Sequence, residues 1–146
     1  MKTSNVAPQT ASTVLQFLET ASALERRLDR ALSGTRGISF SEYRLILALS
    51  RSENGLPRID LANAVGLTAS AVTRALKPLE KIGFVTTQKS DRDARQSLAV
   101  ITPAGLELLV DADGVLRDVF SQLSINSISE NKLSEFQTRL AELRNL

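Results

Sequence analysis

The feature that most constrains the fold of this chain is the pattern of small and apolar residues around Gly66. Leu61 and Ala62 lie five and four residues before this glycine, and Val72 and Ala75 lie six and nine residues after it. A small residue at position 62 lets a second helix cross closely, and glycine can adopt the left-handed conformation that a sharp turn between helices requires. The pattern therefore predicts two short helices packed across a tight turn, a helix-turn-helix.

The second of these helices is expected to begin after Thr68, whose hydroxyl can cap it. If Val72 and Leu76 face inward, helical spacing places small, hydroxyl and basic residues together on the opposite face. That face comprises Ala69, Ser70, Thr73, Arg74 and Lys77. Small and hydroxyl side chains approach bases and phosphates closely, and arginine binds guanine or a phosphate. The face fits the major groove of DNA; an ordinary solvated helix face is the alternative.

A β-hairpin with a charged tip is predicted directly after this helix. Its strands are the segments 84–89 and 97–101, which are rich in β-branched residues. A hairpin in this place is a wing, and Arg92 and Arg95 at its tip are suited to a minor groove. Asp93 and Arg95 are expected to pair, which leaves Arg92 as the preferred DNA contact. A polar turn kept soluble by mixed charges is the competing interpretation.

Two amphipathic helices are predicted before this region. The first has apolar residues spaced by threes and fours from Val14 to Leu32, and we expect it to end at Gly34. The second begins at a capping box, in which Ser39 accepts from the backbone of Glu42 and the Glu42 side chain reaches back to the backbone of Ser39. Both helices should pack one apolar stripe against the core.

Two further helices are predicted after the wing. One begins at Thr102-Pro103, where Thr102 serves as the cap and Pro103 occupies a first helical position that needs no amide proton. The last carries a narrow apolar seam from Leu133 to Leu143. Together with the N-terminal helix, these stripes exceed what a lobe this small can cover, so a dimer is expected.

Proline at position 78 falls inside the predicted recognition helix. It removes one backbone hydrogen bond and crowds the carbonyl of Arg74, four residues earlier, which commonly costs about 3 kcal/mol or bends the helix. We expect a mild kink after the DNA-facing half of the helix, without loss of binding. The alternative is a proline in a relaxed last turn that matters only for packing.

Composition excludes several classes of chemistry. The 146 residues include no cysteine and no histidine, so disulfides, thiol catalysis and the ordinary zinc ligand sets are not available. Residues 58–101 hold 7 Lys/Arg and 4 Asp/Glu, a local charge of +3, whereas residues 102–146 hold 4 and 7, a local charge of −3. A basic excess this small indicates a polyanionic partner only if the basic residues gather on one face. Without an apolar leader or membrane-length segment, we expect a cytoplasmic protein with no membrane partner and no cofactor.

Several motifs are similar to those of the MarR (multiple antibiotic resistance regulator) family in residue identity and spacing. They are Gly66-Leu67-Thr68 with Val72-Thr73-Arg74, Leu79 to Val85, Asp93-Ala94-Arg95, and Leu98 to Gly105. The resemblance covers about residues 12–146 and is strongest over 58–105. It implies a mainly α (α+β) fold: a winged helix-turn-helix lobe with a two-stranded β-wing, plus N- and C-terminal dimerisation helices.

The resemblance also implies an organisation and a mode of action. The expected parts are a flexible N-terminus at 1–9, a dimerisation helix at 10–37, a DNA-binding lobe at 38–102 and C-terminal dimerisation helices at 103–146. The protein would be a homodimeric repressor that binds a palindromic operator in double-stranded DNA and is released by a small, often aromatic, ligand. By analogy, Thr68, Ser70, Thr73 and Arg74 would contact the major groove, with Arg92 and Arg95 in the wing.

An effector pocket is expected between the dimer helices and the winged lobe. Its candidate residues are Phe17, Tyr43, Leu47 and Phe120, although core packing is the competing role for each. Since cysteine and histidine are absent, redox and metal sensing of the usual kinds are excluded, and a small organic ligand or no ligand remains.

Two other classes of function compete with DNA binding. An enzyme without histidine would depend on carboxylates, lysine or tyrosine in a concave site, but the acidic residues are scattered and Tyr43 is the sole tyrosine. A winged-helix adaptor would use the same fold to bind protein. The retained basic residues, Arg74 and Lys77 among them, favour DNA over the adaptor.

Overall fold

The computed structural model of the chain describes residues 7–144, and within them the fold is mainly helical with one small sheet. The helices are α1 Pro8–Arg36, α2 Phe40–Ser50, α3 Arg58–Val65, α4 Ala69–Ile82, α5 Pro103–Ser121 and α6 Glu130–Arg144, with a 3₁₀ turn at Ser124–Ser127. The strands are β1 Leu56–Pro57, β2 Val85–Lys89 and β3 Ser97–Ile101. The chain forms two compact units, the first ending at Leu116 and the second beginning at Arg117.

Helix α1 is longer at both ends than the sequence predicted. Most of the flexible N-terminus expected at 1–9 lies outside the described residues, but Pro8 already starts the helix. The predicted end at Gly34 is wrong: the helix continues to Arg36, and Gly37 ends it with a left-handed φ of 68°. A glycine inside a long helix costs only about 0.5–1 kcal/mol, which is too little to end it. Helix α1 ends at the glycine whose backbone adopts the left-handed conformation, Gly37.

Helix α2 begins at the predicted capping box. The Ser39 hydroxyl accepts from the Glu42 amide at 3.0 Å, and Glu42 Oε2 accepts from the Ser39 amide at 2.8 Å. Asp29 of α1 accepts from the Phe40 amide at 2.9 Å and so ties the two helices together. Leucine and isoleucine side chains from α1 to α4 form the centre of the core: Leu32, Leu45, Ile46, Leu49, Leu61, Leu76 and Leu79.

The sheet has three strands rather than the two that the sequence predicted. Strands β2 and β3 form the expected antiparallel hairpin, in which Val85 pairs with Ile101. Strand β1 adds to the other side of β3, with Leu56 opposite Ala99, so the strand order is β1-β3-β2. A strand of two residues is too short to show alternation, and its proline is acceptable because an edge strand needs fewer paired amides. The segment that follows α2 therefore adds a short edge strand to the sheet.

Helix α5 starts as predicted and joins the lobe through two side chains. Thr102 Oγ1 accepts from the Gly105 amide at 3.1 Å and donates to the Gly83 carbonyl at 2.6 Å, so one hydroxyl caps α5 and holds the end of α4. Further along, the Tyr43 hydroxyl of α2 donates to Asp113 Oδ1 at 2.8 Å. Among the described residues, no helix combines the length and apolar character needed to cross a membrane.

The second unit consists of the last residues of α5, the 3₁₀ turn and α6. Within it, Asn126 Nδ2 donates to the carbonyls of Phe120 and Leu123 at 2.7 and 2.9 Å, which fixes the turn that follows α5. Five of its large apolar side chains are nevertheless exposed, namely Phe120, Ile125, Ile128, Phe136 and Leu143. The unit has no described buried side chain in α6. The described residues of the unit therefore do not cover its apolar surface by themselves.

Candidate nucleic-acid interface

The turn between α3 and α4 has the geometry that the sequence predicted. Gly66 adopts a φ of 68° and a ψ of 33°, and the Leu67 amide donates to the Ala62 carbonyl at 3.0 Å. Ala62 is buried at the crossing of the helices. The sequence analysis missed a further support, because Arg44 Nη2 of α2 donates to the Val65 carbonyl at 2.7 Å. A side chain from another helix thus satisfies the end of α3 and holds the turn.

Helix α4 buries one face and presents the other to solvent. Thr68 Oγ1 accepts from the Ala71 amide at 3.1 Å and caps the helix as predicted, while Val72, Leu76 and Leu79 are buried. The residues predicted to meet the major groove all lie on the outer surface: Thr68, Ala69, Ser70, Arg74 and Lys77 are exposed and Thr73 is partly exposed. The structure therefore brings these six residues together at one accessible surface.

Proline 78 does not end the recognition helix, which continues to Ile82. Pro78 is exposed, one turn after Arg74 on the same side of α4. Because proline has no amide proton, the Arg74 carbonyl lacks its usual helical donor, and exposure makes that carbonyl accessible to water. A mild kink at this point remains a prediction.

The wing tip is braced through the backbone. Asp93 Oδ1 accepts from the Arg95 amide at 2.9 Å, and the Asp93 carbonyl accepts from the Gln96 amide at 2.9 Å. The expected ion pair between the Asp93 and Arg95 side chains is absent from the described part of the chain. An aspartate side chain reaches the amide two residues ahead more easily than a guanidinium, as in an Asx turn. The reason for preferring Arg92 over Arg95 therefore falls away, and both side chains are exposed.

The four residues predicted to line an effector pocket lie on three helices, α1, α2 and α5. Tyr43 is buried with its ring stacked near Phe40, at 6.0 Å between centroids, while Leu47 is half-buried on the same helix. Phe17 is exposed on α1, and Phe120 belongs to the second unit. A cavity of about 560 Å³ lies elsewhere in the first unit and none of the four lines it. Its lining residues are Glu25, Arg26, Asp29, Arg30, Phe40, Ser41, Arg44 and Leu67.

Metal chemistry finds no site in the residues that the structure describes. No group of three or more histidine, cysteine, aspartate or glutamate side chains comes close enough there to hold a metal ion.

The interface is basic because α4 and the wing carry exposed basic side chains, namely Arg74, Lys77, Lys81, Lys89, Arg92 and Arg95. One carboxylate of this region, that of Glu80, is paired with Arg58. The interface is suited to a polyanion.

Comparison with known proteins points to one family. Residues 36–96 match the family model described as MarR family. The uncharacterized HTH-type transcriptional regulator YdgJ of Bacillus subtilis is 28% identical over 109 residues, which are 75% of this chain. The match spans 65% of that relative's own length.

Solved structures share the fold. Sco3205, a MarR family transcriptional regulator from Streptomyces coelicolor solved in complex with DNA, superposes with a TM-score of 0.86 at 24% identity, over 95% of this chain and 91% of that one. CouR from Rhodococcus jostii RHA1, solved bound to p-coumaroyl-CoA, gives a TM-score of 0.79 at 19% identity, over 88% of each chain. At these identities the likeness establishes the winged-helix fold.

Proposed function

Because residues 36–96 match the MarR family model, we propose that the chain is a sequence-specific DNA-binding regulator of transcription. The observation that carries the proposal is the outer face of α4, where small, hydroxyl and basic side chains lie together directly before a wing with two exposed arginines. A helix of this kind fits the major groove, and arginines on a hairpin tip fit the minor groove. The matched family model and the curated relative both describe regulators rather than enzymes.

The α4 face divides into residues that read bases and residues that hold the backbone. Arg74 lies at the middle of the exposed face, and Lys77 lies one turn closer to the end of the helix. Arginine is bidentate to guanine, whereas lysine at the edge of an interface acts mainly on phosphate. We therefore assign sequence reading to Arg74 and backbone binding to Lys77.

Selection of binding sequences from random duplexes, followed by fluorescence anisotropy, tests this assignment. Arg74→Ala should cost about 1–3 kcal/mol on the selected site and relax base preference there, because a base contact is lost. Lys77→Ala should weaken binding to all sequences alike. It should also reduce the slope of log affinity against log salt concentration by about one ion. Lys132→Ala, on the exposed surface of α6, is the matched control and should change neither. Equal losses for Arg74→Ala on selected and random duplex would show that Arg74 contacts phosphate alone. Failure to enrich any sequence would favour the adaptor function.

The regulator acts as a homodimer on a palindromic operator, with repression as its role. The support is the first half of α1, where every residue from 8 to 20 is exposed although Val14, Leu15, Phe17 and Leu18 are apolar. An amphipathic helix with an uncovered apolar stripe requires a partner surface. Two identical lobes related by a two-fold axis read two half-sites of opposite orientation, which makes the operator palindromic.

The effector is a small organic anion with an apolar body, held in the cavity between α1, α2 and the helix-turn-helix. Arg26 and Arg30 lie one turn apart on α1 and line this cavity with Phe40 and Leu67. Together with Arg44, the lining has three arginines against two carboxylates, Glu25 and Asp29. Guanidinium groups bind carboxylates, and the phenyl and leucine side chains receive an apolar body. Leu67 directly precedes Thr68, the cap of α4, so an occupant of the cavity acts on the start of the recognition helix.

Release of the wild-type protein from its selected operator by aromatic carboxylates tests this part of the proposal. Arg30→Ala should raise the half-release concentration about tenfold, since one charge-assisted contact of about 1.4 kcal/mol is lost, while DNA affinity without ligand stays the same. Arg51→Ala, at the exposed end of α2 and outside the cavity lining, is the control. Equal release of Arg30→Ala and wild type would place the effector site elsewhere.

A further inference from the structure

Three side chains from different elements meet beside the wing. Arg58, the first residue of α3, donates from Nη2 to Glu80 Oε1 of α4 at 3.3 Å. Thr87 of β2 donates to the same Glu80 oxygen at 2.7 Å and lies 3.5 Å from the Arg58 Nη2 atom. We refer to Arg58, Glu80 and Thr87 as the wing junction. It ties both helices of the helix-turn-helix to the wing strand.

We propose that Arg58 is a positioning residue that fixes the wing relative to the recognition helix, and so sets the spacing between Arg74 and the wing arginines Arg92 and Arg95. The inference rests on the proposed function, because it concerns how one DNA-binding surface is held. Arg58 itself belongs to α3 and acts through Glu80 and Thr87. The junction connects α4 to β2 through side chains, in addition to the connection through the chain itself.

The way Arg58 is buried argues against a purely stabilising role. Its Nε atom is buried and has no hydrogen-bond partner among residues 7–144, although its side chain retains 28% exposure and that of Glu80 retains 30%. A buried donor without a partner lowers stability, and such groups in folded proteins call for another explanation. Holding Nη2 between a carboxylate of α4 and a hydroxyl of β2 is such an explanation.

Thr87 lies partway along β2, so a small tilt of the strand at this residue produces a larger displacement at the wing tip. The chain leaves α4 at Gly83, where φ is 93°, and the Phe84 amide still donates to Leu79 of the helix at 2.9 Å. Thr87 lies three residues after Phe84, and Arg92 lies five residues after Thr87. With about 3.3 Å per residue of strand, a tilt of roughly 10° at Thr87 moves the tip by about 2–3 Å, enough to break a hydrogen bond. Loss of the junction should therefore disturb the arginines without unfolding the lobe.

A double-mutant cycle on the selected operator separates positioning from mere stability. Arg58→Met should weaken binding about tenfold, similar to loss of one arginine contact, and Arg92→Ala should then cost less than half of its usual factor, because a displaced wing no longer places Arg92. Arg36→Met is the matched control, since Arg36 also forms an ion pair, with Asp111 at 3.8 Å, but lies on α1. In the Arg36→Met background, Arg92→Ala should reduce operator affinity by its full factor. If Arg92→Ala reduced affinity by its full factor in the Arg58→Met background as well, the proposal would be overturned.

Amide hydrogen exchange of the protein without DNA gives an independent test. In Arg58→Met, amides of 86–89 and 97–100 should exchange faster than in wild type, whereas α2 should not change and Arg36→Met should match wild type. Unchanged exchange in the wing would overturn the proposal even if the wild type bound no selected duplex, an outcome that would defeat the proposed function separately. If Arg58→Met does not fold, Thr87→Val severs the junction at an exposed strand position that valine suits. It should show the same loss of coupling and the same faster exchange.

Discussion

Tyr43 shows at the scale of one residue how packing changes chemistry. Its side chain is buried, and its hydroxyl donates to Asp113 Oδ1 at 2.8 Å. Burial raises the pKa of Tyr43 from 10.0 to about 12, with further upward contributions from the hydrogen bond and the negative charge of Asp113; Arg51 acts in the opposite direction. The chain has one tyrosine and no tryptophan, so phenolate absorbance reports this group alone.

Titration of the folded protein should therefore show phenolate forming near pH 12, and titration in denaturant near pH 10. Between these values the folded state keeps a proton that the unfolded state has lost. The stability contributed by Tyr43 is thus fully present below pH 10 and is lost as the pH rises toward 12. Asp113→Asn, which keeps an acceptor and removes the charge, should lower the midpoint in the folded protein. Circular dichroism at each pH verifies folding, and a folded-state midpoint near 10 would contradict the assignment.

The glycines at Gly34 and Gly105 show at the scale of a helix that one residue type has opposite roles. A Cβ atom at Gly105, in the first turn of α5, would clash with the Phe84 carbonyl oxygen and lie 2.8 Å from Ile101 Cγ1. Gly105 is therefore the point at which α5 rests on the end of the wing lobe. At Gly34, inside α1, a Cβ atom would meet nothing within 4 Å.

Substitution of each glycine by alanine should change stability in opposite directions. Gly105→Ala should destabilise by about 1–3 kcal/mol, because the backbone of Phe84 has to move. Gly34→Ala should stabilise by about 0.5–1 kcal/mol, since alanine loses less entropy in a helix. Urea unfolding of both variants measures the difference, and the two midpoints should lie on either side of wild type. A neutral Gly105→Ala variant would mean that α5 does not rest on that carbonyl.

At the scale of the whole molecule, the exposed apolar residues of α1 are the basis for the proposed dimer. Leu15 and Leu18 are 60% and 54% exposed, on the same side of the helix. Gln16 is also exposed, on the opposite side. In a folded monomer, a charge at any of these three positions would be tolerated. In a dimer it is tolerated only where no partner packs.

Light scattering at micromolar concentration should give twice the chain mass for the wild type. Leu18→Glu should give a monomer or a much weaker dimer, because a charge would be buried without a partner. Gln16→Glu is the matched control and should remain dimeric. A wild type that scatters as a folded monomer would rule out the dimer and, with it, the palindromic operator.

Local sequence determined those parts of the fold that depend on neighbours in the chain. The Ser39 and Thr68 caps, the left-handed turn at Gly66 and the start of α5 at Thr102 were all predicted correctly, because each needs only residues within about four positions. The same holds for the outer face of α4, which helical spacing defines. Fold class and family resemblance follow from these local patterns.

Tertiary structure decided whatever depends on residues far apart in the chain. The pairing of Leu56 with Ala99, the contact from Arg44 to Val65 and the contacts of Arg58 join segments separated by 21 residues or more, and no local period encodes them. Asp93 is a different case: the sequence placed it correctly, but its partner is the backbone of Arg95. Which of several nearby atoms satisfies a carboxylate, and which distant segments meet, depends on the packed backbone, because hydrogen bonds require distance and angle together.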